Sequence, residues 1–144
     1  MSFPFAMVSD ANGMRTFRPV LPVRLENAPR GECQACLVDT GSPDTYLDWQ
    51  LASAAGIDLA RADAIPYPDR WAVGGVQATA LWGSLVTFLI EDDRYTIRLT
   101  GVRALFTQPW AHPGFTVVLG TEGMKRVKLT VDAGEANGRV TISQ

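Results

Sequence analysis

The chain has 144 residues, of which 47% are hydrophobic and 19% charged, as expected for one folded domain with a sizeable core. Its 13 basic and 15 acidic residues give a net charge of −2, and no basic block or RNA-binding signature points to nucleic acid as a partner. Residues 1–8 do not resemble a signal peptide, and the longest apolar-leaning run, residues 80–90, is too short for a membrane helix. We therefore expect a soluble cytoplasmic protein with no membrane partner, although a fragment of a longer protein would have the same features.

The first part of the chain is predicted to be irregular and then to form two strands. Residues 1–16 show no clear pattern apart from a turn at Asn12-Gly13, so we place the domain at residues 17–144. Residues 17–25 alternate and are rich in Val and Leu, which predicts a strand, and Pro19 and Pro22 favour the edge of a sheet. Residues 33–38 predict a second strand.

Both cysteines of the chain, Cys33 and Cys36, lie in this second strand with C-x-x-C spacing. The chain has one histidine and no second cysteine pair, so a zinc site made only of Cys and His ligands within one chain is incomplete. Residues three apart in a strand point to opposite faces. We therefore interpret the cysteines as two packed thiols and expect neither a metal nor a cofactor.

A short helix and a hairpin are predicted next. Residues 45–48 resemble a capping box with Thr45 as the N-cap, and apolar residues then recur at helical spacing up to Gly56, which predicts a helix over residues 46–55. Further on, Gly74-Gly75 stands between Val73 and Val76, a hairpin-turn signal between strand-forming residues.

The remainder of the chain is predicted to be mostly β. Strands are expected at residues 71–90, 95–99, 102–106, 116–120, 127–131 and 139–142, with a short helix at residues 121–126. Together these elements predict a mainly β protein with two short helices, arranged as a small barrel or sandwich.

The most informative motif is residues 37–42, with the sequence LVDTGS. An apolar strand delivers Asp39 to a tight turn, where Gly41 permits a backbone path that a Cβ would obstruct. The hydroxyls of Thr40 and Ser42 are able to hydrogen-bond a carboxylate and fix its position. Alone, Asp39 would suit a turn at the end of a strand without any chemistry.

The context of this motif resembles the retropepsins, the single-domain retroviral-type aspartic proteases, and is most similar to their bacterial members. Leu37-Val38 precedes the motif, Gly74-Gly75 follows about thirty residues later, and residues 117–124 read VVLGTEGM. The resemblance covers residues 17–142. It implies an all-β, acid-protease-like closed barrel with one lobe per chain, and an aspartic endopeptidase that is active as a homodimer on peptide or protein substrates.

The same resemblance implies roles for individual residues. Asp39 would be the catalytic carboxylate, Thr40 would link the loops of the two subunits, and Gly41 would allow the turn. Ser42 would be a substrate-binding residue, and its hydroxyl is expected to hydrogen-bond the Asp39 carboxylate. The hairpin Val73, Gly74, Gly75 and Val76 would be a flap that closes over the substrate, and Gly120 would end the strand that crosses under the active-site loop.

Some residues depart from the family pattern and keep a second function open. Pro43 follows the motif directly, and Thr121-Glu122 replace the Arg-Asn or Arg-Asp pair of the retroviral enzymes. The alternative is therefore a non-catalytic peptide-binding or dimerisation module with the same fold. His112 is interpreted as a loop residue. The four tryptophans, Trp49, Trp71, Trp82 and Trp110, are expected to line the core or the cleft.

Overall fold

A computed structural model describes residues 1–10, 12–28, 32–60, 72–73, 76–77, 80–110, 112–134 and 138–144. Its strands, in chain order, are β1 Ser2–Pro4, β2 Ala6–Ser9, β3 Arg15–Arg18, β4 Val20–Leu25, β5 Gln34–Val38, β6 Thr45–Asp48, β7 Ala72–Val73, β8 Val76–Gln77, β9 Ala80–Glu91, β10 Thr96–Gln108, β11 Val117–Leu119, β12 Lys128–Asp132 and β13 Arg139–Ser143. A 3₁₀ turn at Trp49–Leu51 and the helix α1 at Thr121–Met124 complete the elements. No helix in this described part of the chain is long and apolar enough to cross a membrane.

Six strands close into a barrel in the order β10, β6, β11, β5, β4, β9. Alternation in β4 directs Leu21, Val23 and Leu25 into the barrel, where they join the main core. A second apolar cluster lies on the other side of the same strands. Its buried members are Val8, Val20, Tyr46, Leu105, Phe115 and Val118. The predicted all-β closed barrel is confirmed.

The predicted helix over residues 46–55 is wrong. Thr45–Asp48 is strand β6, which pairs in parallel with β10 and antiparallel with β11. Thr45, Tyr46 and Leu47 are all buried, so pairing on both sides of the strand outweighs the helical spacing. Asp48 takes the capping role instead, because its Oδ1 accepts the Gln50 amide at 3.1 Å and opens the 3₁₀ turn. Within the described residues, α1 is therefore the one α-helix, where two short helices were expected.

The interpretation of residues 1–16 as irregular is also wrong. β1 pairs with the C-terminal strand β13, and β2 forms a hairpin with β3 around the predicted Asn12-Gly13 turn. Phe3 and Phe5 pack against the main core, which ties this segment to the barrel. The division of the chain at residue 17 stays a prediction.

Two strand boundaries differ from the predictions for local reasons. The strand expected over residues 17–25 is split at Pro19 into β3 and β4. Pro22 lies in a barrel strand and not at the edge of a sheet. The pairing of β4 with β9, however, involves only Arg24 and Leu25 and does not extend to Pro22. The strands expected at 95–99 and 102–106 form the single strand β10, which bulges at Gly101 with φ 65°.

Candidate active site

Strand β11 lies between β5 and β6 and positions the Asp39 turn. It runs parallel to β5, with Leu119 opposite Val38, and antiparallel to β6. The Asp39 amide donates to the Leu119 carbonyl at 3.1 Å, so the register continues past the end of β5. Gly120, the residue after β11, is buried against the backbone of Ser42 and Asp44.

The turn itself orients the Asp39 carboxylate. The Ser42 amide donates to the Asp39 carbonyl at 3.3 Å, and the Gly41 amide donates to Asp39 Oδ1 at 2.9 Å. Asp39 is half-buried, whereas Thr40 and Gly41 are exposed. The carboxylate is therefore held in one orientation at an accessible position, where it is able to exchange a proton with a bound water or substrate.

The residues that follow Gly120 hold the other side of the turn. The Thr121 amide donates to the Ser42 carbonyl at 2.9 Å, and the Glu122 amide donates to the Pro43 carbonyl at 3.1 Å. These are backbone contacts, so they do not depend on the side chains that differ from the retroviral pattern.

The Ser42 hydroxyl was expected to hydrogen-bond the Asp39 carboxylate, and this prediction is wrong. Ser42 Oγ instead donates to the Asp44 carbonyl at 2.8 Å. Burial, together with the nearby charge of Asp44, raises the pKa of Tyr46 to about 12, and the bond to Ser42 offsets this only in part.

A cavity of about 380 Å³ lies between the β2–β3 hairpin and the 112–115 loop, and it is also lined by Leu37, two residues before Asp39. One wall is the β2–β3 hairpin, including Thr16 and Arg18, and the other contains Leu37 and His112. His112 stacks on Phe115 with ring centroids 4.5 Å apart. Burial lowers the pKa of His112, and the negative charge of Asp39 opposes this effect. His112 is a loop residue, as expected, but its position near Asp39 was missed.

The lowered pKa of His112 predicts a loss of stability in acid. Between its ordinary pKa of about 6.5 and its lower folded value, the unfolded chain binds a proton that the folded chain does not. The free energy of unfolding should therefore fall as pH decreases through this interval. We expect urea unfolding of His112→Gln to show a weaker decrease than the wild type over the same pH range. Parallel curves for the two proteins would contradict the assignment.

The predicted flap lies partly outside the described residues. Strands β7 and β8 pair antiparallel, with Val73 opposite Val76, which confirms the predicted hairpin. Gly74, Gly75 and Trp71 lie outside the described residues. The role of Val73–Val76 in binding substrate stays a prediction.

The cysteines and the remaining tryptophans lie mostly in or against the cores. Cys36 is buried, and burial raises the pKa of its thiol to about 12. Cys33 is exposed, so the prediction of a packed thiol is wrong there. Trp49 and Trp82 pack against the main core, and Trp110 packs against the second apolar cluster, as expected.

One solved structure, a retropepsin-like aspartic protease from Rickettsia conorii, is similar over 100% of this chain and 95% of that chain. The TM-score is 0.55 and the sequence identity is 12%. No protein-family model matches the chain, and no curated protein matches it. The similarity shows that the chain has a retropepsin-like fold.

Proposed function

We propose that this protein is an aspartic endopeptidase, a hydrolase that cuts peptide bonds as a homodimer. The observation that carries the proposal is the Asp39 turn. It is clamped between β11 and α1 and presents a half-buried carboxylate oriented by the Gly41 amide, within a retropepsin-like fold. The strand, the turn and Gly41, which the sequence analysis singled out, support the proposal because together they position the Asp39 carboxylate.

The chemistry requires a second copy of the chain. The motif occurs once per chain, and water attack on a peptide bond by this route uses two carboxylates. When two Asp39 side chains lie close together, they share one proton, because like charges at short range do not both ionise. The ionised group takes a proton from water, which attacks the scissile carbonyl carbon. The protonated group donates to the carbonyl oxygen as the tetrahedral intermediate forms.

The surroundings of Asp39 suit a peptide substrate. The cavity lined by Leu37, Arg18 and His112 is large enough to receive one side chain of the peptide. The Val73–Val76 hairpin would close over the bound peptide and exclude water. Thr40 is exposed, which leaves it accessible to a partner subunit.

A mixed peptide library tests this proposal directly. We expect the wild-type protein to generate new peptide termini that the Asp39→Asn variant does not generate. A peptide-binding module would retain peptides on both proteins and cut none, so peptide binding without new termini from the wild type would reject the endopeptidase in favour of that alternative.

The active unit should be a dimer. Because each chain supplies one carboxylate, specific activity should rise with protein concentration through the dimer dissociation constant. Sedimentation velocity over the same concentrations should show the dimer fraction rising in parallel with the activity. A protein that sediments as a monomer at every concentration and still cuts peptides would contradict the proposal.

A further inference from the structure

We propose that the cavity between the β2–β3 hairpin and the 112–115 loop binds an acidic side chain of the peptide substrate, and that Arg18 is the residue that selects it. This assignment rests on the proposed function, since it names the kind of peptide that the same site would take. A peptide-binding module with this fold would show the same preference, so binding tests the assignment separately from cleavage.

Alternation along β5 relates the cavity to Asp39. Leu37 lines the cavity and packs against the second apolar cluster, whereas Val38 belongs to the main core. The Asp39 amide donates to the Leu119 carbonyl at 3.1 Å, so the pairing with β11 continues past Val38. Residues two apart in a strand point to the same face and lie roughly 6.5 Å apart. A peptide bound at Asp39 would therefore present a neighbouring side chain to the cavity.

Alternation along β3 directs Arg18 to the cavity. Thr16 and Arg18 both line it, and Thr16 lies opposite Val8, a buried residue of the same wall. Arg15 and Phe17 point to the other face of the hairpin. The Arg18 Nε donates to Thr16 Oγ1 at 3.1 Å, which holds the guanidinium on the cavity side. Its two terminal nitrogens are the donors that would bond a carboxylate.

The positive charge of Arg18 is not compensated inside the cavity. No ion pair joins Arg18 to a carboxylate in the described part of the chain. Asp10 also lines the cavity, but its Oδ1 accepts the amides of Asn12 at 2.9 Å and Met14 at 2.8 Å at the tip of the hairpin. Met14 is four residues from Arg18, which is roughly 13 Å along a strand and exceeds the screening length of about 8 Å at physiological salt.

The rest of the cavity suits the aliphatic part of an acidic side chain. Val8, Leu37 and Phe115 contribute apolar surface. His112 stacks on Phe115, and because burial lowers the pKa of His112, its ring adds little positive charge at neutral pH. The methylene groups of a glutamate would contact this apolar wall while its carboxylate meets Arg18. A lysine in the same place would bring its charge against the guanidinium.

A mixed peptide library retained on the full-length Asp39→Asn protein at neutral pH measures binding without cleavage. We expect acidic residues to be enriched at one peptide position. Replacing Glu by Gln at that position should weaken binding roughly three- to tenfold, a range between an exposed ion pair and a buried hydrogen bond to a charged group. The difference should shrink as salt is raised. With the wild-type protein, kcat/KM for the two peptides should differ by the same factor.

Charge variants on the two faces of β3 separate the cavity from the net charge of the protein. Arg18→Gln should bind the Glu and Gln peptides equally, and Arg18→Glu should prefer a Lys peptide to the Glu peptide. Arg15→Glu is the matched control, because Arg15 is also exposed on β3 but points to the other face. It changes the net charge by the same amount as Arg18→Glu and should leave the preference for Glu unchanged.

The outcomes distinguish the role of Arg18 from the proposed function. A library from which no acidic peptide is enriched would overturn the assignment, as would an unchanged preference in Arg18→Gln or an equal loss in Arg15→Glu. Peptides that the wild type cuts with no preference for Glu would reject the role of Arg18 and leave the endopeptidase in place. A preference for Glu that depends on Arg18, in a protein that cuts no peptide, would support the assignment and reject the endopeptidase.

Discussion

Asp39→Asn should reduce peptide cleavage by ~10²–10⁴-fold or more, which is the contribution typical of a positioned acid–base group. Asparagine has nearly the same shape as aspartate, and its side-chain oxygen is able to accept the Gly41 amide that now bonds Asp39 Oδ1 at 2.9 Å. The turn should therefore persist. What is lost is the group that takes a proton from water, in both subunits at once.

The matched control is Asp93→Asn, which makes the same chemical change at an exposed residue of the turn between β9 and β10. Its cleavage rate should equal that of the wild type. The Asp39→Asn dimer should be at least as stable as the wild type, because the repulsion between two carboxylates is removed. Turnover at the wild-type rate in Asp39→Asn would mean that a different group activates the water.

The Asp39 turn could be predicted from the sequence because the residues that form it are adjacent in the chain. A strand followed by Asp39, a glycine and a hydroxyl residue specifies a turn within six residues, and the structure forms that turn. Gly120 was also singled out correctly as the residue that ends its strand. The alternating strands predicted a small barrel or sandwich, and the resemblance selected the closed barrel.

The misassigned elements depend on contacts that are distant in sequence. Residues 45–48 form a strand because β10 and β11 offer partners on both sides, and neither partner is visible from the local spacing of apolar residues. β1 is fixed by β13, at the opposite end of the chain. The helical interpretation of residues 46–55 also concealed that Tyr46 is a buried residue of a barrel strand.

The surroundings of His112 in the candidate site likewise depend on residues that are distant in sequence. Its loop position was predicted, but the electrostatic effect of Asp39 on it was not, because His112 is held in place by the packing of the β2–β3 hairpin and the 112–115 loop around one cavity. Residues 1–16 were interpreted as irregular, so the wall that the hairpin contributes to this cavity was not anticipated.

Gly120→Ala should destabilise the fold by about 3 kcal/mol, at the upper end of the usual cost of overpacking. A Cβ at this position would lie 2.1 Å from the Asp44 carbonyl oxygen and 2.8 Å from the Ser42 carbonyl oxygen. Both are backbone atoms of the turn, which side-chain rotation cannot move away. The φ angle of Gly120 is −86°, so alanine is compatible with the backbone conformation, and the expected cost is steric.

Gly134→Ala is the control, because among the described residues its Cβ would meet only Asp132 Oδ1, at 3.4 Å. Both substitutions remove the same glycine flexibility from the unfolded chain, so their difference in urea unfolding isolates the clash. We expect Gly134→Ala to unfold within about 0.5 kcal/mol of the wild type. Equal stability of the two variants would contradict the packing of Gly120 against the turn. If Gly120→Ala remains folded, the displaced turn should move Asp39 out of register with Leu119, and cleavage should fall even at temperatures where the protein is fully folded.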